Sequence, residues 1–169
     1  ATKTEQKLFQ ELFPDEDIAW ADFRLVQIRE RLAYKEETLG QLSFFPPLEN
    51  FLNRLPRGHR IIMGSCWADE TAIFNNPAFL AAIAKGKIHV TLMPHRRDEV
   101  GLSELQQRLR KAYPAIPLYL LGADAGPAKI RHLFAKLQTT PGLLILTVRG
   151  ILCELYGHYG HAFVGGGHG

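Results

Sequence analysis

The chain has 169 residues, of which 46% are hydrophobic and 22% charged, with a formal net charge of +3. This balance is typical of one globular domain with a substantial core, and it excludes a disordered, collagen-like or coiled-coil protein. Apolar runs such as 143–146 are far shorter than the ~20 residues of a membrane-spanning helix. The weak basic charge, without basic residues clustered among aromatics, argues against a nucleic-acid partner. Cys66 and Cys153 lack metal-site spacing and are expected to be reduced thiols.

The first part of the chain, 1–58, is predicted to be a helical lead-in followed by a linker. Apolar residues repeat at helical spacing between 22 and 35, at Leu25, Ile28 and Leu32. The prolines of 44–47 break the helical pattern, and 56–58 predicts a turn. Residues 59–169 form the second predicted unit, a nucleotide-sugar binding domain of Rossmann-like type that is incomplete at its carboxyl end.

Strands and helices alternate from residue 60 onwards. Short apolar segments are predicted as strands over 60–63, 87–93, 116–121, 143–148 and 161–164. Helices are predicted from 68, over 77–85, 102–112, 128–137 and 151–156, the second of them with Asn76 as N-cap. The alternation predicts an α/β fold, a Rossmann-like parallel sheet with flanking helices and right-handed crossovers. A sixth strand and its helix are missing from the pattern, so we expect a truncated domain.

The segment Gly64-Ser65-Cys66-Trp67-Ala68-Asp69-Glu70 joins the first predicted strand to a helix. A glycine lets the backbone approach a ligand closely, and a helix N-terminus offers free N–H groups to an anion. Ser65 adds a hydroxyl donor. Asp69 and Glu70 also suit the helix dipole without any ligand, so both interpretations stay open. The segment lacks the GxGxxG pattern of a dinucleotide site.

A basic segment, Met93-Pro94-His95-Arg96-Arg97, closes the second predicted strand. Ligands of open α/β sheets bind at the carboxyl ends of strands, and arginine can donate two parallel hydrogen bonds to a phosphate or carboxylate. The alternative is a pair of exposed arginines neutralised by Asp98 and Glu99. The spacing favours neither interpretation.

The loop after the fourth predicted strand contains Gly150, which would allow close contact with a flat base or sugar. An ordinary connection whose Leu152 and Leu155 pack on the sheet explains the same residues, and the spacing favours it. The spacing of the histidines close to the carboxyl end matches no zinc pattern, so we predict no metal site. No residue of the chain is predicted to be catalytic, because no nucleophile–base pair can be argued from spacing.

Four segments, in collinear order, resemble the C-terminal domain of 3-deoxy-D-manno-octulosonic acid (Kdo) transferases, two-domain GT-B glycosyltransferases of lipopolysaccharide synthesis. Residues 64–70 resemble the family's GST-W-x-x-DE turn, and 93–95 resemble its A-P-H or P-R-H strand end. Residues 150–156 are similar to its G-x-L-x-x-L-Y segment, and 162–169 to its A-[FY]-[VI]-G-G-G-[FS]-G turn. The resemblance covers about residues 20–169.

The resemblance implies the C-terminal half of a GT-B fold, which holds the donor CMP-Kdo. The family transfers Kdo from CMP-Kdo to a lipid A precursor, inverts the anomeric centre, and needs no metal or other cofactor. Its catalytic base and lipid-facing surface lie in an N-terminal domain that this chain lacks, so we expect the fragment to be inactive alone. The full-length parent would act at the cytoplasmic face of the bacterial inner membrane, and the fragment itself is expected to be soluble.

Carried over residue by residue, the resemblance gives a set of donor contacts. Ser65 and the turn after it would line the donor pocket, and His95 with Arg96 would meet the phosphate or the sugar carboxylate. Gly150 and Ile151 would border the cytosine. The donor-binding residues predicted in this way are Gly64, Ser65, Trp67, Glu70, Pro94, His95, Arg96, Gly150, Ile151, Gly165, Gly166 and Gly167.

The sequence also departs from the family pattern. His168 replaces the usual Phe or Ser, Ile151 stands where many members have Glu, and 94–97 does not reproduce P-R-H-P-E-R. The H-N-x-L-E-[PA]-A segment, whose Glu contacts the nucleotide ribose in the family, does not follow Gly169. We expect the missing strand and helix to leave an apolar sheet edge uncovered, and hence self-association.

Two other functions stay open. The chain would suit another GT-B nucleotide-sugar enzyme, such as a UDP-sugar transferase or epimerase, although the G-S-x-W turn argues against it. It would also suit a non-catalytic Rossmann-like binding module, which binds no nucleotide and presents an apolar surface to a partner. Preference for cytidine over uridine nucleotides would separate a Kdo transferase from another GT-B enzyme.

Overall fold

The computed structural model describes residues 39–40 and 42–165 of the chain. These residues contain a five-stranded, all-parallel sheet with helices on both faces, so the predicted α/β Rossmann-like fold is confirmed. The helix predicted over 22–35 and the predicted contacts Gly166 and Gly167 lie outside the described residues. The lead-in and linker over 1–58 stay a prediction. None of the helices in this part of the chain is long and apolar enough to cross a membrane.

The elements alternate along the chain much as predicted. The strands are β1 (Arg60–Cys66), β2 (His89–Pro94), β3 (Leu118–Leu121), β4 (Leu143–Leu146) and β5 (His161–Val164). The α-helices are α1 (Phe45–Leu52), α2 (Pro77–Ala84), α3 (Glu99–Ala112), α4 (Pro127–Thr139) and α5 (Leu152–Tyr156). Two 3-10 helices, Arg57–His59 and Glu70–Asn75, precede and follow β1.

Prolines occupy the first turn of three of these helices, α1, α2 and α4. The prolines that were predicted to break the pattern at 44–47 instead occupy the first turn of α1, where a missing N–H and a fixed φ suit a helix start. The helix predicted from 68 is present as a 3-10 helix over Glu70–Asn75, not as an α-helix. Asn76 precedes a proline and is extended, and its side chain caps α2 as predicted, so no α-helix can run through this position.

Two apolar clusters cover the two faces of the sheet. The helices α1, α4 and α5 pack on one face, whose core includes Ile62, Met93 and Leu144. The 3-10 helix Glu70–Asn75 packs with α2 and α3 on the other face, together with Met63 and Leu92. Neighbouring residues of a strand therefore point to opposite faces, as the two-residue period of a buried strand requires.

The strand order across the sheet is β3-β4-β2-β1-β5. The connections that leave β1 and β2 pass over the face of α2 and α3, whereas those that leave β3 and β4 pass over the face of α4 and α5. The loops after the neighbouring strands β2 and β4 thus diverge to opposite faces. In an open α/β sheet such a divergence opens a crevice at the carboxyl ends of the strands, where ligands bind.

Candidate functional site

The candidate site is the carboxyl edge of four adjacent strands, β4, β2, β1 and β5. Every predicted donor-binding residue within the described part of the chain belongs to one of these strand ends or follows it directly. Because all strands are parallel, these segments emerge along one edge even though up to 101 positions separate Gly64 from Gly165. The parallel sheet therefore brings these distant segments together at one edge.

The end of β1 carries a β-bulge at Ser65. Gly64 pairs with Met93 and Cys66 pairs with Pro94, so Ser65 is an extra residue in this strand. The turn predicted to begin at Gly64 is therefore wrong, since the ladder with β2 carries the strand on to Cys66. Ser65 has a φ of +52°, which is costly for a residue with a side chain. Ser65 is partly exposed, and no hydrogen bond from its hydroxyl to a described residue is recorded.

Gly64 is required for packing between the sheet and α5. A Cβ atom at this position would collide with the Tyr156 hydroxyl and lie 2.7 Å from Leu152 Cδ1. The residue is buried, so its lack of a side chain brings α5 close to β1. This close packing accounts for the glycine without a ligand, which the sequence alone did not indicate.

An exposed aromatic pair spans the loops after β1 and β2. The rings of Trp67 and His95 are stacked, with centroids 4.6 Å apart and an interplanar angle of 25°. Trp67 is 38% exposed, and His95 is exposed as well. The His95 N–H donates to the Cys66 carbonyl at 2.9 Å, which ties the two loops together. The pair offers a flat, partly exposed surface of the kind on which bases and sugars stack.

Glu70 stabilises the β1 loop from within. One of its carboxylate oxygens accepts a hydrogen bond from the Trp67 N–H at 2.7 Å. A Cβ atom at Gly165 would collide with the same Glu70 oxygen and lie 2.9 Å from Cys66 Cα. The Gly165 N–H donates to the Gly64 carbonyl at 2.8 Å, so the ends of β1 and β5 are held in contact. Glu70 and Gly165 therefore shape the edge, whatever contact they make with a ligand.

The thiol at this edge is not an activated nucleophile. Cys66 is buried, and burial together with the negative charge of Glu70 raises the pKa of its thiol to about 12. A thiol with a raised pKa stays protonated at neutral pH, and the thiolate is the reactive form.

The loop after β4 turns at Gly150, which has a φ of +77°. No described atom lies within 4 Å of where its Cβ would be, so the space above this glycine is open. The side chain of Ile151 is only 9% exposed and belongs to the apolar core, so Ile151 can offer a ligand its backbone alone. Leu152 and Leu155 pack against the same core, which confirms the packing interpretation of this segment.

The two arginines after β2 have different surroundings. Arg96 is exposed and forms ion pairs with Asp98 at 3.2 Å and with Glu104 at 3.4 Å. Arg97 is half-buried, and its Nε donates to the Pro94 carbonyl at 3.0 Å. Burial, and after it the nearby positive charge of Arg149, lowers the pKa of the Arg97 guanidinium. The sequence pattern indicated both Arg96 and Arg97 as possible anion ligands, and the family resemblance retained only Arg96 in the donor set. Arg149 was given no role, although it and Arg97 follow the two strands that flank the crevice.

The described residues bring no group of three or more histidine, cysteine, aspartate or glutamate side chains together in a way that could hold a metal ion. Comparison with protein-family models, with curated proteins and with solved structures found no match for the chain. The basis for a function is thus the fold, the geometry of the carboxyl edge and the motifs found in the sequence.

Proposed function

We propose that this domain binds the nucleotide-sugar donor of a Kdo transferase, CMP-Kdo, at the carboxyl edge of its sheet. The observation that carries the proposal is the meeting of the family-like segments at one edge. Residues 64–70, 93–95, 150–156 and 162–165 follow or end four adjacent strands, in a fold that binds ligands at such edges.

In this proposal the nucleotide lies across the ends of β1, β2 and β4. The stacked rings of Trp67 and His95 provide an aromatic surface for the base or the ribose. The open space above Gly150 leaves room for a flat ring against the backbone of 150–151, where the family resemblance puts the cytosine. The Ser65 hydroxyl, which has no described hydrogen-bond partner, is available to a phosphate or sugar oxygen.

The proposed reaction is transfer with inversion at the anomeric carbon of Kdo. A hydroxyl of the lipid A precursor attacks that carbon from the face opposite the phosphate, and the bond from carbon to the phosphate oxygen breaks. The electron pair leaves with CMP, and the proton of the attacking hydroxyl goes to a base outside this domain. The contribution of this domain is to bind and orient CMP and to stabilise the charge that develops on its phosphate. The parent enzyme acts at the cytoplasmic face of the bacterial inner membrane.

Nucleotide titration followed by tryptophan fluorescence tests the proposal. The chain has two tryptophans, so Trp20→Phe leaves Trp67 as the single reporter, next to the proposed base site. We expect a saturable change with CMP and a weaker one with UMP. Ser65→Ala is expected to weaken CMP binding by about five- to tenfold, through loss of one hydrogen bond. Ser103→Ala, an exposed serine on α3, is the matched control and should bind CMP unchanged.

The alternatives predict different titrations. Tighter binding of UMP than of CMP would favour another GT-B nucleotide-sugar enzyme. No binding of either nucleotide would favour a non-catalytic module, and the proposal would be wrong. The apolar groove beside β5, formed by residues such as Ile61, Ile73 and Phe163, would suit the partner of such a module.

A further inference from the structure

Two arginines without a role in the proposed function flank the crevice between β2 and β4. These strands are neighbours, with Leu92 opposite Ile145. Arg97 follows three residues after the end of β2, and Arg149 follows three residues after the end of β4. The two side chains therefore leave the sheet at similar levels, on either side of the point where the connections diverge to opposite faces.

The position of the Arg97 guanidinium is fixed by the strand that precedes it. Its Nε donates to the Pro94 carbonyl at 3.0 Å, and the side chain is half-buried. This hydrogen bond uses one of the five N–H donors and leaves the two terminal nitrogens of the planar group for a ligand. Arg149 is exposed, and it lies close enough for its charge to act on Arg97.

Among the described residues, neither Arg97 nor Arg149 forms an ion pair with a carboxylate. The nearby Asp98 and Glu104 form ion pairs with Arg96, and none within 4 Å is recorded for Arg97 or Arg149. Two neighbouring cations in a partly buried crevice repel each other, and a bound anion would relieve that repulsion.

We propose that Arg97 and Arg149 together bind an oxyanion, a phosphate or a carboxylate, in the crevice between β2 and β4. The forked donors of arginine match both groups geometrically. The identity of the anion rests on the proposed function. CMP-Kdo supplies two sources of this chemistry, the phosphate of CMP and the carboxylate of Kdo. When the phosphate occupies the subsite, the pair stabilises the charge that CMP gains as it leaves.

Calorimetric titration of the full chain with CMP, cytidine, free Kdo and inorganic phosphate tests the subsite. Arg149→Gln removes one guanidinium at an exposed position and is expected to leave the fold intact. We expect it to weaken binding of CMP by about tenfold or more, and to leave cytidine unchanged. Arg97→Gln should have a similar effect. The control is Arg110→Gln, an exposed arginine of α3 that donates to Gln106, and it should change neither affinity.

The ligands distinguish the two sources and separate the two proposals. Loss of Kdo affinity in Arg149→Gln, with CMP unchanged, would assign the subsite to the sugar carboxylate. If CMP and cytidine bind with equal affinity, and Arg149→Gln changes the affinity of neither CMP nor Kdo, the proposed subsite is wrong. The proposed donor function would not be contradicted by that result. If inorganic phosphate binds, loses its affinity in Arg149→Gln, and binds as tightly as CMP does, the result would support the subsite. It would contradict the donor function. An equal loss in Arg110→Gln would overturn the subsite in favour of general electrostatic attraction.

Discussion

Acid should destabilise this domain through the buried histidine His89. The residue is 3% exposed and lies edge-on against the Phe51 ring, with centroids 4.8 Å apart. Its Nε2 is 2.9 Å from the Thr91 hydroxyl, which is in turn 2.7 Å from the Tyr159 hydroxyl. Burial lowers the pKa of His89 to about 3, so the ring is neutral in the folded state. The hydroxyl groups of Thr91 and Tyr159 can accommodate a neutral imidazole.

The sign and size of the effect follow from linkage. The unfolded state has a histidine pKa of about 6.5, so it binds a proton below that pH whereas the folded state does not until about pH 3. Stability is therefore complete above pH 6.5 and is lost as the pH falls towards 3. Each pH unit lowers the free energy of unfolding by up to about 1.4 kcal/mol. Between pH 7 and 4.5, His89 alone therefore lowers it by about 2.5 kcal/mol. That is a large share of the roughly 5–15 kcal/mol that holds a domain folded.

Urea unfolding at pH 7 and at pH 4.5, followed by circular dichroism, measures this loss. The protein is compared with His89→Gln, which keeps a hydrogen-bonding group near Thr91 but cannot titrate. We expect the free energy of unfolding of the wild-type chain to fall by about 2.5 kcal/mol more than that of His89→Gln over this pH range. His132→Gln, at an exposed position on α4, is the control and should follow the wild-type dependence. Equal losses in wild type and His89→Gln, or a His89 ring resonance that titrates near pH 6.5, would refute the reasoning.

Three substitutions test the packing and strain of the candidate site and the core beneath it. Gly64→Ala forces a methyl group against Tyr156 and should lower the free energy of unfolding by about 1–3 kcal/mol in urea titrations, so unchanged stability would contradict the close packing of α5. Ser65→Gly and Ser65→Ala both lose the hydroxyl, so their difference isolates the positive φ. The free energy of unfolding of the glycine variant should be about 1 kcal/mol higher than that of the alanine variant. A more stable alanine variant would argue against the strain. Tyr159→Phe removes the hydroxyl partner of Thr91 and should cost about 1–2 kcal/mol by thermal or urea unfolding, with no loss expected only if that buried hydrogen bond is absent.

The sequence predicted the sheet well because the central strands β2 and β4 are buried on both faces. Each is a short apolar run between helical patterns, as Leu143–Leu146 shows most clearly. The start of α2 was also predicted correctly, because Asn76 before a proline is a strong local indication of an N-cap. The start of α1 was not, since two prolines in a row indicate a break unless the first turn of a helix follows them.

The sequence located the edge of the sheet but not the chemistry along it. The bulge at Ser65 depends on pairing with β2, which is a non-local property, so spacing alone placed a turn there instead. Adjacent arginines look equivalent in the sequence, yet Arg96 is neutralised by two carboxylates and Arg97 is not. The proximity of Arg97 to Arg149 results from the β3-β4-β2-β1-β5 order, which the sequence did not give.

Mapping amide resonances of the isotope-labelled chain during a CMP titration, with UMP as the control, tests the central proposal most directly. We predict that CMP shifts the amides of Ser65, Gly150 and Gly165 at the carboxyl edge, and that UMP shifts them less at equal concentration. Shifts that cluster instead at the opposite edge would contradict the account. That edge holds a cavity of about 170 Å³ lined by residues that include Gly86 and Pro141. The absence of shifts with either nucleotide would contradict it as well.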